Sequence, residues 1–393
     1  QQLGRGLRLH PDKAQLTVLD FIAPQRPEFR MAERFAALSA RRDLRVDQQI
    51  EDGFPWLPAG CLVRLTPIAR QRVLAQIRAQ LGLAAPQLAQ RLRMLMTELG
   101  RRPTLQQMLD RLLWDTPDLL LQRGLPSALL GLDPDAPAGD PRALQRGLRH
   151  LAQGDDPALL EALRSLLDEP VGTPLADPEL AALGLTLLAG KSRPAPAAFA
   201  DTLRAQAAWR TDLIDVIDWR LAGLRRGPGR RFPHLSGALR LHAHYTREQI
   251  LIALGLWRFE TVSFSNNGVI HLPARRADAF FVTLDKDPQR FSPNTMYHDY
   301  ALAADRFHWQ TPNATGVDTP VGQRYLRHAE LGYTPLLFVR HAAKQADGLT
   351  APFCFLGPLR YLRHEGDRPI SIVWQLLTPM PAAVYELAHR HAI

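Results

Sequence analysis

The hydrophobic pattern of the chain changes character at one short segment, residues 225–231, which reads Arg-Arg-Gly-Pro-Gly-Arg-Arg. Before it, residues 31–224 carry apolar side chains at every third or fourth position, the spacing of helices that bury one face. After it, residues 241–393 contain short β-branched and aromatic runs separated by turn residues, a pattern typical of strands. We therefore predict a helical part, a basic linker over residues 225–240, and a strand-rich part.

Four runs in the strand-rich part have the composition of β-strands. These runs are residues 279–284, 336–340, 353–356 and 370–376. Ahead of them, Thr246-Arg247-Glu248-Gln249 has the pattern of a capping box and predicts the start of a short helix. Because no long helix separates the runs, we expect a mixed or antiparallel sheet, or a small barrel, with one or two helices.

Composition narrows the classes of protein to which the chain can belong. The net charge of +9 suits a polyanionic partner, although only four of the 48 cations are lysine and a GC-rich genome also produces an excess of arginine. The two cysteines, Cys61 and Cys354, are too few for a disulfide framework or a zinc ribbon, which favours the cytoplasm. No run of about 18 apolar residues predicts a transmembrane helix, and no signal peptide is visible. The chain starts with Gln1 inside an element that reads as folded, so we expect the natural protein to extend upstream.

The first eight residues read Gln-Gln-Leu-Gly-Arg-Gly-Leu-Arg, and a buried-strand pattern follows at residues 16–22. The eight residues resemble motif VI of superfamily-II helicases, Q-x-x-G-R-x-x-R. The resemblance implies that Arg5 and Arg8 are arginine fingers, that Gln1 couples the nucleotide to the cleft, and that residues 1–30 end a RecA-like α/β lobe. Two arginines three positions apart share a helix face, and their planar cations suit phosphoryl oxygens. The alternative is a solvated arginine-rich loop.

The motifs that bind the nucleotide itself are missing from the sequence. Residues 184–192, Gly-Leu-Thr-Leu-Leu-Ala-Gly-Lys-Ser, have five residues between the glycines where a phosphate-binding loop has four. We interpret them as the end of a helix and a loop. Because no D-E-A-D or D-E-x-H box is present either, the chain alone is not expected to hydrolyse ATP or to need a cofactor. ATP and Mg²⁺ are expected as cofactors of the full-length parent.

Several segments further along resemble, in order and spacing, one group of bacterial superfamily-II helicases and their C-terminal domain of unknown function. These segments are residues 52–61, 245–248, 281–286, 291–300, 307–310, 319–325, 355–358 and 368–372. Relatives in that group carry an upstream region similar to phospholipase-D nucleases and then the helicase core. The resemblance implies a cytoplasmic enzyme that acts on DNA, with the helicase core lying upstream in the same protein.

Polar side chains are mixed with aromatic rings between residues 286 and 325. Such a mixture suits a nucleic-acid site, because rings stack on bases, amides read base edges and cations hold phosphates, and a flipped base would fit the same chemistry. The candidates are Lys286, Tyr297, His298, Tyr300, His308, Trp309, Gln310, Arg324 and Tyr325, with Arg225, Arg226, Arg230 and Arg231 of the linker as further phosphate contacts. The alternatives are that Tyr300, Phe307 and Trp309 are core aromatics above a hydrogen-bonded His308, and that the linker arginines are simply solvated.

The sequence thus predicts an α+β multidomain chain with a lobe remnant at 1–30, a helical accessory region at 31–224, the linker at 225–240 and a recognition domain at 241–393. The expected function is that of a C-terminal fragment of an ATP-dependent DNA helicase or translocase, whose partners are the upstream core and single-stranded, duplex or forked DNA. One alternative is a stand-alone nucleic-acid-binding module without turnover.

Another alternative is a metal-dependent nuclease in the C-terminal domain. Two or more acidic groups near a lysine can hold the metal that activates a phosphodiester. The residues that could do so are Asp285, Asp287, Asp299 and His298. The segment from Asp285 to Pro288 is also explained more simply as a turn.

Overall fold

The computed structural model describes residues 46–54, 57, 63–71, 73–74, 84–112, 114, 116–132, 139–191, 193–224, 229–261, 267–285, 299–345 and 348–390. The RecA-like remnant predicted at residues 1–30 lies outside these ranges. So do eight of the residues predicted to bind nucleotide or nucleic acid: Gln1, Arg5, Arg8, Arg225, Arg226, Lys286, Tyr297 and His298.

The described part of residues 46–224 is helical, as predicted. Its helices are α1 (Val46–Glu51), α2 (Ala85–Leu99), α3 (Leu105–Leu112), α4 (Asp118–Arg123), α5 (Pro126–Leu130), α6 (Pro141–Gln153), α7 (Pro157–Asp168), α8 (Pro178–Leu188), α9 (Pro196–Ala205) and α10 (Ala207–Gly223). Prolines open several of these helices at a position where a missing N–H costs nothing. The carboxylates of Asp140 and Asp177 cap α6 and α8.

The segment that resembles a phosphate-binding loop lies mostly inside helix α8. Gly184 is a buried helical residue whose missing side chain leaves room for Leu163 of α7, at 3.4 Å from the position a Cβ would take. The helix ends at Leu188, ahead of Gly190. The interpretation of this segment as a helix end is therefore confirmed.

The rest of the described chain is built around one mixed sheet. Its strands are β1 (His244–Tyr245), β2 (Val269–Leu272), β3 (Ala277–Thr283), β4 (Tyr300–Ala303), β5 (Arg306–Gln310), β6 (Thr334–Arg340), β7 (Phe353–Glu365) and β8 (Ser371–Leu376). The order is β2-β3-β6-β7-β8-β5-β4, with β1 paired to β7. Strands β3 and β6 are parallel and the other pairs are antiparallel. The predicted mixed sheet is confirmed.

Four further helices and a short 3-10 helix accompany the sheet. They are α11 (Pro233–Ser236), α12 (Arg247–Ala253), α13 (Pro320–Leu326), α14 (Ala382–His389) and the 3-10 helix Pro273–Arg275. The capping box predicted for Thr246 is present, since its hydroxyl accepts a hydrogen bond from the backbone N–H of Gln249. No helix in the described ranges is long and apolar enough to cross a membrane.

The sheet curls until its two halves face each other. Strand β7 is 13 residues long and bends near Gly357, whose φ of 90° is one that side chains rarely adopt. Phe280 of β3 stacks on Trp309 of β5 with ring centroids 4.2 Å apart, although three strands separate β3 from β5 in the sheet order. We call the apolar cluster enclosed by this curl the inner core. Its largest members are Phe280, Phe307, Trp309, Tyr325, Ile372 and Trp374.

The opposite face of the first half of the sheet packs on the helical part. Phe281, Phe338 and Phe355 of β3, β6 and β7 form one buried cluster with Leu159 of α7 and Leu183 of α8. Successive residues of a strand point to opposite faces, so β3 is buried along its whole length, with Phe280 in the inner core and Phe281 toward the helices. This packing leaves the outward face of the second half of the sheet outside all the buried clusters.

A polar junction also joins the helical part to the sheet. The turn between α6 and α7 carries Asp155 and Asp156, which accept hydrogen bonds from Arg231 of the linker and from His244 and Tyr245 of β1. His244 binds Asp155 through its backbone N–H at 2.8 Å and its ring Nδ1 at 2.6 Å. Burial lowers the pKa of His244, but Cys354 and the Asp155 carboxylate outweigh it and raise that pKa well above its usual range. The junction thus links two segments about 90 residues apart in sequence through charged hydrogen bonds.

Candidate nucleic-acid interface

The second half of the sheet, formed by β4, β5, β8 and the end of β7, has one face that does not enter the inner core. Register places its side chains in rows that run across the strands: Tyr300 opposite His308, His308 opposite Val373, and Val373 opposite Arg363. We call this surface the outer face. Its residues are Tyr300, Arg306, His308, Gln310, Arg360, Arg363, Glu365, Ser371, Val373 and Gln375. Among the described residues, none of these ten belongs to a buried hydrophobic cluster.

Two rings stack at the edge of the outer face, on the last two strands of the sheet, β5 and β4. The phenol of Tyr300 and the imidazole of His308 have centroids 4.5 Å apart and planes tilted by only 15°. Both residues are half-buried, because each is covered on one side by the other. An aromatic pair in this position offers a flat surface on which a nucleobase can stack.

Three arginines of the outer face lie on β5 and β7, in the row of the ring pair and in the adjoining row. Arg306 and Arg363 are about 60% exposed, and Arg360 is exposed as well. Arg363 pairs with Glu365, and Arg306 lies 4.0 Å from Asp305. Ion pairs this exposed contribute at most about 1 kcal/mol, so the guanidinium groups can exchange their partners for phosphate at little cost.

Amide groups lie in the adjoining rows. Gln375 accepts a hydrogen bond from Arg360 at 2.6 Å, and Gln310 donates one to the Ser371 hydroxyl at 3.2 Å. Amides carry both a donor and an acceptor, which are the groups that read base edges. The outer face therefore combines stacking, phosphate-binding and base-reading side chains on one surface of regular structure.

Side chains alternate between the two faces of strand β5, so the residues predicted as a single cluster lie on opposite faces of the sheet. His308 and Gln310 point to the outer face, whereas Phe307 and Trp309 point into the inner core. Trp309 is 4% exposed and lies flat on Phe280, while Tyr325 is 2% exposed and meets both rings edge-on. Neither Trp309 nor Tyr325 is open to a base, and the alternative assignment to the core describes Phe307 and Trp309 but not Tyr300.

Two of the predicted phosphate-binding arginines are held by buried carboxylates. Arg324 donates from Nε and Nη2 to both oxygens of Asp278, at 2.9 and 3.1 Å. Arg231 donates to Asp156 at 2.8 and 3.0 Å. A buried acid left without its cation is costly, so both arginines are structural in this fold. Arg230 is different, because it is exposed and lies over the ring of Phe232, 4.9 Å from its centroid.

The acids considered for a metal site are dispersed where the structure describes them. Asp299 is buried, and its carboxylate accepts the backbone N–H of Gln310 at 3.1 Å. The backbone N–H of Asp285 bonds to the carbonyl of His341. Within the described ranges, no group of three or more His, Cys, Asp or Glu side chains could hold a metal ion. Asp287 and His298 lie outside those ranges.

Comparison with known families gives one match. Residues 239–388 match the family described as "Domain of unknown function (DUF3427)". The matched region contains all eight strands and helices α12 and α13, and it therefore includes the whole outer face. The chain has no match among curated proteins.

Sequence reasoning missed the three arginines of the outer face. A signal was present in the sequence, since Arg306-Phe-His-Trp-Gln310 alternates polar and apolar residues, as a half-buried strand does. The pattern around Arg360 and Arg363 is harder to interpret, because the register shifts between Tyr361 and Arg363. Such a bulge places two residues of one strand opposite one of the next and breaks the period of two.

Proposed function

We propose that residues 239–388 bind DNA through the outer face, and that the chain is the C-terminal part of an ATP-dependent DNA helicase. The observation that carries the first half of the proposal is the composition of the outer face. Arg306, Arg360 and Arg363 share one sheet surface with the stacked pair of Tyr300 and His308, in the row of that pair and in the adjoining row.

The chemistry of each group fits a single-stranded or partly opened DNA. Guanidinium groups bind phosphate oxygens in bidentate fashion. A base that has left its duplex can stack on the Tyr300–His308 pair, and such stacking contributes about 1–3 kcal/mol per base. Gln310 and Gln375 stand in the two rows on either side of the ring pair and supply donors and acceptors for base edges. Regular strands hold all of these groups in fixed positions, as recognition requires.

The helicase half of the proposal has separate support. Residues 1–8 resemble motif VI, and the matched domain is known from helicase-associated proteins. In this proposal the upstream core binds ATP and Mg²⁺, Arg5 and Arg8 reach the γ-phosphate, and the outer face holds the DNA on which the motor acts.

Fluorescence anisotropy with the whole chain tests DNA binding by the outer face. Single-stranded, duplex and forked DNA are titrated over roughly 50 to 200 mM salt. On duplex DNA, each phosphate that the protein neutralises contributes about 0.9 to the steepness of log K against log salt. The variant Arg306→Gln/Arg360→Gln/Arg363→Gln leaves three phosphates without a cation, so its slope is expected to be shallower by about 2.7.

Arg327→Gln is the matched control, since Arg327 is 56% exposed and pairs with Glu330 away from the outer face. The control is expected to keep the slope of the wild type. Equal slopes for the triple variant and the wild type would remove the outer face as the binding surface.

A further inference from the structure

A second cluster of cations lies at the carboxyl end of the parallel strands β3 and β6. Thr283 and Arg340 end these strands and are register partners. Arg340 donates from Nε to the Thr283 hydroxyl at 3.0 Å and from Nη1 to the carbonyl of Ala351 at 3.3 Å. Arg247, the first residue of α12, donates from Nη2 to the carbonyl of Asn267 at 2.6 Å. None of these residues belongs to the outer face.

Aromatic rings hold the two arginines beside each other. The guanidinium carbon of Arg247 lies 4.1 Å from the centroid of Phe281, and that of Arg340 lies 4.3 Å from the centroid of Phe353. The two phenyl rings meet edge to face, with centroids 5.3 Å apart. Each cation thus lies over an aromatic ring, and the N–H donors that do not bind Thr283, Ala351 or Asn267 can bind a ligand.

The positive charge of this pair is not balanced within the described part of the chain. No carboxylate there pairs with Arg247 or Arg340, whereas Arg324 and Arg231 each have a buried aspartate. The Nε–H of Arg247 is buried and has no acceptor. Burial lowers the pKa of both guanidinium groups to about 10, and the charge of Arg340 adds to the effect on Arg247.

Arg247 and Arg340 are neighbouring cations without a carboxylate partner in the described part of the chain, and the Nε–H of Arg247 has no acceptor. Such a pair is suited to binding an anion. We propose that Arg247 and Arg340 form a binding site for a phosphate monoester or inorganic phosphate. The monoester is favoured over a backbone diester, because its charge of about −1.5 to −2 at neutral pH matches two guanidinium groups, and because its three terminal oxygens suit several donors. The Thr283 hydroxyl stands at the same position as a further polar contact.

This site goes beyond DNA binding by the outer face and does not depend on it. A terminal phosphate of a DNA strand and a free phosphate offer the same chemistry to Arg247 and Arg340. Binding of inorganic phosphate tests whether the site exists. Comparing oligonucleotides with and without a 5′-phosphate tests whether it binds a DNA end.

Isothermal titration calorimetry of the whole chain with inorganic phosphate is the test, supported by the phosphorus NMR signal of the ligand. The wild type is expected to bind, and binding should tighten as pH rises from about 6 to 8, because inorganic phosphate takes its second charge near neutral pH. Arg247→Gln and Arg340→Gln should each weaken binding about 10- to 100-fold, as the removal of a charged hydrogen bond implies. Arg327→Gln should bind as the wild type does.

Two further comparisons keep the test decisive. Arg247→Lys and Arg340→Lys retain the charge and guard against glutamine variants that fail to fold, and they are expected to bind with intermediate affinity because lysine lacks the fork. A 5′-phosphorylated oligonucleotide that binds the wild type more tightly than its 5′-hydroxyl twin, but not the glutamine variants, would assign the phosphate to a DNA end. Equal binding of the twins alongside binding of inorganic phosphate would assign the site to free phosphate. Absence of phosphate binding by the wild type, or equal affinities in wild type and glutamine variants, would overturn the proposal.

Discussion

Asp156→Ala is predicted to be among the most damaging single changes at the junction between the helical part and the sheet. Asp156 occupies the N-cap position of α7, yet its carboxylate makes no capping hydrogen bond. It instead accepts two hydrogen bonds from Arg231, at 2.8 and 3.0 Å, and one from the Tyr245 hydroxyl at 2.5 Å. Asp156 is 3% exposed and Tyr245 is 1% exposed, so water cannot replace the missing carboxylate.

The magnitude follows from what each substitution leaves behind. Asp156→Ala leaves the guanidinium of Arg231 and a buried hydroxyl unpaired, which costs about 3–5 kcal/mol. Tyr245→Phe removes one hydrogen bond to a charged group, worth about 1.5–3 kcal/mol, and also leaves the backbone N–H of Arg240 without its acceptor. Because both residues contact the same carboxylate, the double variant should cost less than the sum of the two, by roughly 1–3 kcal/mol.

Urea unfolding, followed by both far-ultraviolet circular dichroism and tryptophan fluorescence, measures these free energies. Two probes are needed because a chain with a helical part and a sheet can unfold in more than one step. His234→Ala is a suitable control, since His234 is exposed and near the same segment. A destabilisation below about 1 kcal/mol for Asp156→Ala would refute this prediction, since removing a buried carboxylate that accepts three hydrogen bonds should cost more than that.

Three further predictions concern stability. Trp309→Ala should lower the free energy of unfolding by about 3–5 kcal/mol, measured by thermal or urea unfolding, because it leaves a cavity in the inner core. A loss of DNA binding without destabilisation would contradict the placement of Trp309 in that core. Gly147→Ala should cost about 1–3 kcal/mol, since its Cβ would lie 2.6 Å from the carbonyl of Leu187, whereas Gly223→Ala meets open space and should be tolerated. Burial raises the pKa of Asp212 to about 6, so the folded state holds a proton that the unfolded state releases near pH 4. The free energy of unfolding should then fall by roughly 3 kcal/mol in all as pH rises from well below 4 to well above 6, and a pH titration of Asp212→Asn should lack that fall.

Much of the secondary structure followed from local patterns. The period of three to four before the linker predicted helices, and the four β-branched runs became parts of strands β3, β6, β7 and β8. The capping box at Thr246 was readable because both of its partners lie within four residues. Each of these signals is contained in a short window, so no knowledge of tertiary structure was required.

The candidate site was only partly predictable. Tyr300, His308 and Gln310 were recognised by residue type, but Trp309 next to them belongs to the inner core. Residue type alone could not separate them, although the alternation of polar and apolar residues along β5 carries that information. Which surface the inner side of β5 packs against was not predictable, because the curl of the sheet is set by contacts distant in sequence, such as Phe280 on Trp309.

The ion pairs of Arg324 and Arg231 could not be predicted from the sequence for the same reason. Arg324 and Asp278 are 46 residues apart, and Arg231 and Asp156 are 75 apart. Nothing in the local sequence distinguishes these structural arginines from Arg306 or Arg363, which remain exposed. Only tertiary packing, of α13 on β3 in one case and of the linker on the helical part in the other, decides which guanidinium meets a buried carboxylate.

Photocrosslinking with an iodouracil-substituted single strand, followed by mass spectrometry of the whole chain, tests the central claim most directly. The reactive base couples to aromatic side chains that it stacks on, so crosslinks are expected at Tyr300 or His308. They should disappear in the double variant Tyr300→Leu/His308→Leu. Trp309 and Tyr325 should stay unmodified, because the inner core covers both. Crosslinks confined to the helical part, with none on the outer face, would contradict the assignment of this surface as the DNA-binding site.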